Sequence, residues 1–106
     1  MRATRGPLSA DHKVTGGKLL RVRLTLEDAA NKAPPRIHTL RLTGDFFMHP
    51  EDAIEELEAR LIGTPWQPEA IRAEVRAFFA SDVQVIGADV DDIVHVVMAA
   101  KAVKND

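Results

Sequence analysis

Cysteine is absent from this chain of 106 residues, which excludes disulfides, thiolate catalysis and cysteine-ligated zinc or iron-sulfur sites. An excess of one charge is missing too. With 14 Lys and Arg against 16 Asp and Glu, the net charge of -2 makes no electrostatic case for nucleic acid or membrane binding. Aromatics are only 5% of the residues, and 45% apolar content supports one modest core, hence one small domain. The opening residues Met1-Arg2-Ala3-Thr4-Arg5-Gly6-Pro7 lack an apolar leader segment, and no later stretch approaches the ~18 apolar residues of a membrane span. The cytoplasm is the expected compartment.

Catalytic motifs are equally scarce. His12, His38, His49 and His95 form no His-x-x-x-His pair and fall in different expected elements, which argues against a metal site. No Ser or Thr lies in a nucleophile elbow, and Gly16-Gly17-Lys18 is too short for a phosphate-binding P-loop. Asp45, His49, Glu51 and Asp52 form the nearest acid-base grouping, yet a turn former, a helix-start loop and charges at a helix N-terminus account for all four. A complete active site is not expected.

What is present is a pattern of strands followed by helices. Residues 1–9 mix Arg, Gly, Pro and Ser without periodicity and read as a loose arm, with a single domain over residues 10–106. Gly16-Gly17 suits a two-residue hairpin turn, pairing residues 10–15 with Lys18 onward. Leu20, Val22, Leu24 and Leu26 alternate with Arg21, Arg23 and Thr25, the period-two signal of a strand buried on one face. Pro34-Pro35 closes an exposed connection. A third strand over residues 37–43 sets Leu40 and Leu42 against Thr39, Arg41 and Thr43, with Ile37 out of phase as at an edge or bulge.

Three helices follow. One is expected over residues 50–62, opened by Pro50, with Ile54, Leu57 and Leu61 on its apolar face and Gly63 as its stop. A second opens at Pro68 with the stripe Ile71, Val75, Phe78 and Phe79. Residues 83–87 fit either a short extended piece or a helical turn. Asp89 then caps a third helix whose apolar side is Val90, Ile93, Val94, Val97 and Met98. The expected fold is α+β, a small three-stranded antiparallel sheet with about three helices on one face.

Residues 43–52, where the last strand gives way to the first helix, carry the densest local signal. Gly44 permits strained backbone, Asp45 can bond nearby amides, and Phe46, Phe47 and Met48 are three successive large apolar residues in a connection. At least one cannot point inward: either Phe46 or Phe47 plugs the sheet-helix junction, or the residues form an apolar patch for a partner. His12, Lys13 and Lys18 add cations about the Gly16-Gly17 turn, suited to an acidic surface or a phosphate. Residues 1–49 hold nine Lys and Arg against four Asp and Glu, and residues 50–106 hold five against twelve, so the halves carry +5 and -7. That split points to a polar surface with two faces.

His12-Lys13-Val14 with Gly16-Gly17-Lys18-Leu19, Thr43-Gly44-Asp45-Phe46-Phe47 with His49-Pro50-Glu51, then Gly63 and Val85-Ile86-Gly87, together resemble the accessory C-terminal domain of lipoate-protein ligase, in the form of a separate small subunit. The resemblance covers residues 11–102. It implies a fold similar to that of iron-sulfur scaffold proteins and a non-catalytic subunit needed for ATP-dependent activation of lipoate to lipoyl-AMP, before transfer to an acceptor-domain lysine. It also implies that ATP, Mg and lipoate bind the catalytic partner, with no cofactor on this chain alone. The chain lacks that partner's Arg-Arg...Gly-Gly-Gly motif and adenylate-binding lysine, so no catalysis is expected from it in isolation. Expected partner-interface residues are His12, Lys13, Gly16, Gly17, Lys18, Gly44, Asp45, Phe46, Phe47 and His49. The alternative is a stand-alone interaction module or assembly scaffold on the same fold.

Overall fold

The structure, a computed structural model, describes residues 4–14, 16 and 18–102. Four strands form the main sheet: β1 (Thr4–Lys13), β2 (Leu19–Glu27), β3 (Arg36–Gly44) and β6 (Lys101–Ala102), in the order β3-β2-β1-β6 with every pair antiparallel. A second sheet is a two-stranded ribbon of β4 (Phe47–His49) and β5 (Gln84–Ile86). Three helices, α1 (Ala53–Leu61), α2 (Pro68–Phe79) and α3 (Val90–Met98), complete the α+β fold. Among the described residues no helix is long and apolar enough to cross a membrane.

The alternation in β2 does what its period requires. Leu20, Val22, Leu24 and Leu26 are buried against the helices while Arg21 and Arg23 face out. In β3 the out-of-phase Ile37 is resolved by a bulge. Thr25 lies opposite Thr39 but Leu26 lies opposite Ile37, so His38 is the extra residue that returns Ile37 to the buried face. Helix α3 crosses β1 and β2, α1 lies against β3, and α2 packs on both helices. Ile71, Val75 and Phe78 of α2 meet Ile93, Val94, Val96 and Val97 of α3 within a single core. The Trp66 indole donates from Nε1 to the Val97 carbonyl at 3.1 Å, tying the loop before α2 to the last turn of α3.

Four expectations are corrected. The main sheet has four strands rather than three, because the chain returns after α3 and sets Ala102 opposite Leu8 and Lys101 opposite Ser9. From Thr4 the expected arm is strand, since its amides and carbonyls pair with β2 as far as Glu27; residues 1–3 lie outside the described residues. The hairpin register differs from the one a two-residue turn requires: Lys13 pairs with Leu19 and the Val14 amide donates to the Lys18 carbonyl at 2.7 Å, so Lys18 meets Val14, while Thr15 and Gly17 lie outside the described residues. Pro50 does not open α1. It sits in a turn whose carbonyl accepts from the Ala53 amide at 2.9 Å, and the helix begins three residues later. The open question at residues 83–87 resolves as strand β5, paired with β4.

Strand β3 is an edge of the main sheet, and α1 covers part of it. The Glu58 carboxylate accepts the Leu42 amide at 2.9 Å, giving a partly buried edge donor a partner. Glu58→Ala should therefore lower stability by about 1–3 kcal/mol in urea unfolding, with Glu58→Gln recovering most of it through its amide oxygen.

Candidate functional site

The corner after β3 is built on a close backbone approach. Gly44 has φ 149°, and a Cβ there would lie 2.2 Å from the Leu19 carbonyl oxygen, so only glycine fits. The chain is then tied back twice: the Asp45 amide donates to the Leu19 carbonyl at 2.8 Å, and the Asp45 carboxylate accepts the Leu19 amide at 3.3 Å. Asp45 is thus occupied with backbone, as a turn former would be.

From this anchor the ribbon runs outward. Met48 is the buried member of the three apolar residues, at 6% exposure, and lies opposite Val85, which is half-buried. Phe46 is half-buried against the core. Phe47, 57% exposed, lies directly opposite Ile86, 58% exposed, so the two form one outward apolar pair. His49 continues the same outward face opposite Gln84. Gly87, at φ 100°, closes the ribbon, and a Cβ there would stand 3.1 Å from the Asp45 carbonyl oxygen and 3.2 Å from Lys18 Cδ. The stem of Lys18 therefore runs along the corner beside Gly87, the residue after Ile86.

The structure separates the expected interface residues. Lys18, Gly44, Asp45, Phe46, Phe47 and His49 gather at the corner, joined by Ile86 and Gly87. Lys13, paired with Leu19, faces away from the helices, whereas the stem of Lys18 lies against Gly87. Gly16 stands exposed in the turn with φ 100°, and Gly17 lies outside the described residues.

His12 faces the helices and has another task. Its Nε2 donates to Asp92 Oδ1 at 3.0 Å, and its ring stacks at a tilt on that of His95 with centroids 4.5 Å apart. Asp92 is also half of the capping box that opens α3: its other oxygen accepts the Asp89 amide, while the Asp89 carboxylate accepts the Asp92 amide. Burial pushes the Asp92 carboxyl up, but the hydrogen bonds from the Asp89 amide and the His12 ring outweigh it and hold the group below the usual carboxylate value. Sequence spacing could not pair residues 12, 92 and 95. Among the described residues no group of three or more His, Asp and Glu could hold a metal ion.

No protein-family model matches this chain. It is 35% identical over 74 residues, 70% of its length and 72% of the relative's, to lipoate-protein ligase A subunit 2 of Thermoplasma acidophilum. A solved chain from the archaeal lipoylation system of the same organism, a bi-partite lipoate protein ligase and its E2 lipoyl domain, superposes with a TM-score of 0.67 at 32% identity, over 92% of this chain and 97% of that one.

The corner geometry separates structural from exposed residues. Gly44→Ala should cost at least about 2 kcal/mol, whereas Phe47→Ser with Ile86→Ser should change unfolding free energy by less than about 1 kcal/mol. The depressed Asp92 titration stabilises the fold above the usual carboxylate value, and that contribution is lost as pH falls through the lower folded value. Urea unfolding across acid pH should accordingly show a steeper loss in the wild type than in Asp92→Asn.

Proposed function

The chain belongs to the lipoate-protein ligase A subunit 2 family, and from that membership we propose that it is the non-catalytic subunit of a two-component ligase, required for activation of lipoate to lipoyl-AMP. The catalytic subunit is its direct partner, and lipoyl-acceptor domains are reached through that subunit. ATP, Mg and lipoate are held by the catalytic subunit.

The observation that carries this reading to particular residues is the outward Phe47–Ile86 pair, with the stem of exposed Lys18 beside neighbouring Gly87. Two large apolar side chains opposite one another on a short ribbon leave more than half of their surface in water, and a partner that covers them gains up to roughly 1.5–3 kcal/mol for each side chain it fully buries. The Lys18 ammonium is suited to steering that partner or holding one of its loops. The subunit then contributes to activation by fixing the partner's conformation rather than by touching the reacting atoms.

The two half-reactions separate this role from general assembly. Purified chain with ATP and lipoate should form no acyl-adenylate, and adding the catalytic subunit should restore activation. Lys18→Ala should lower activation by about tenfold, equivalent to ~1.4 kcal/mol, and leave transfer from preformed lipoyl-AMP nearly unchanged. Phe47→Ser with Ile86→Ser should weaken association with the catalytic subunit by at least about 2 kcal/mol, measured by calorimetry. Full activation without this chain would contradict the reading, as would unchanged affinity of the double variant.

A further inference from the structure

The strand pairing sets Lys101, Ser9, Arg23 and Arg41 opposite one another in a single row across all four strands of the main sheet, on the face turned away from the helices. With neighbouring strands about 4.8 Å apart, the row is roughly 14 Å long. Arg23 and Arg41 are direct cross-strand neighbours, an arrangement that like charges disfavour. Among the described residues neither makes an ion pair or a side-chain hydrogen bond, whereas Arg21 on the same face is held by Asp11 at 2.8 Å. A depression of about 240 Å³ opens beside the two arginines, lined also by Pro7, Thr25 and Thr39, whose hydroxyls are bonded to each other at 2.7 Å.

We propose that this sheet face docks an acidic protein surface, one whose carboxylates are spaced to meet the Lys101–Ser9–Arg23–Arg41 row. Two opposed, unneutralised guanidiniums cost the free domain stability, and an anionic partner removes that cost by pairing with both. The length of the row decides what kind of anion fits. A single phosphate meets at most one pair of cations, whereas carboxylates along a helix or strand of a partner can meet all three. A nucleic acid fits less well, because Asp11 lies in the adjoining row, opposite Arg21, and the chain as a whole is at -2. The proposal uses a different face from the Phe47–Ile86 corner and stands independently of it.

The test is a titration of the full-length chain, isotopically labelled for amide NMR, at low ionic strength with a decaglutamate peptide, and in parallel arms with a short DNA duplex and with inorganic phosphate. Saturable shifts at Ser9, Arg23, Arg41 and Lys101 are expected with decaglutamate, weakened about tenfold or more in Arg23→Thr with Arg41→Thr. The same double variant should melt at or above the wild-type temperature, since it removes opposed charges. Binding unchanged in the variant, tighter binding of the duplex, or phosphate alone producing the same shifts would each overturn the proposal. A lower melting temperature would likewise overturn it, by showing that the arginines serve the fold.

Discussion

The contact on which the architecture turns is the passage of Gly44 against the Leu19 carbonyl. Two strands approach there more closely than any side chain allows, and the Asp45 amide and carboxylate lock the approach with two hydrogen bonds to Leu19. The chain can then leave the main sheet at the end of β3 and start the β4–β5 ribbon beside the hairpin. Gly87 repeats the device on the other side, packing against Asp45, Phe46 and the stem of Lys18. Loosening this junction would separate the ribbon from the sheet and scatter the outward pair Phe47 and Ile86.

Those elements whose side chains see one environment were legible in the sequence. The β2 alternation, the α2 stripe opened by Pro68, and the Asp89 cap of α3 all follow from local periodicity and chemistry. The corner was legible as a corner, because Gly-Asp followed by three large apolar residues has few other solutions. Which of the three would be buried was not, since the choice rests on pairing with β5: Met48 meets Val85 on the inner side, and Phe47 meets Ile86 on the outer.

Long-range partners left no local trace. Strand β6 is two residues long and exists because β1 offers it an edge, and β1 itself begins in a Pro- and Gly-containing stretch that pattern alone reads as irregular. His12 had the look of a surface cation beside a glycine turn. Its ring instead joins the hairpin to α3 through Asp92, a residue already committed to the helix cap, so one carboxylate serves both helix and sheet. The same topology gives the molecule two differently charged sides. The face away from the helices carries Arg21, Arg23, Arg41 and Lys101, and the acidic second half of the sequence supplies the helices.

A subunit that acts by docking must show where it docks. Hydrogen-deuterium exchange of the chain alone and bound to the catalytic subunit addresses this directly, because a two-stranded ribbon of three residues per strand opens readily when free. The account predicts slowed exchange over residues 44–49 and 84–87 on binding. Unchanged exchange there, with protection confined to the outer faces of α1 and α2, would contradict it.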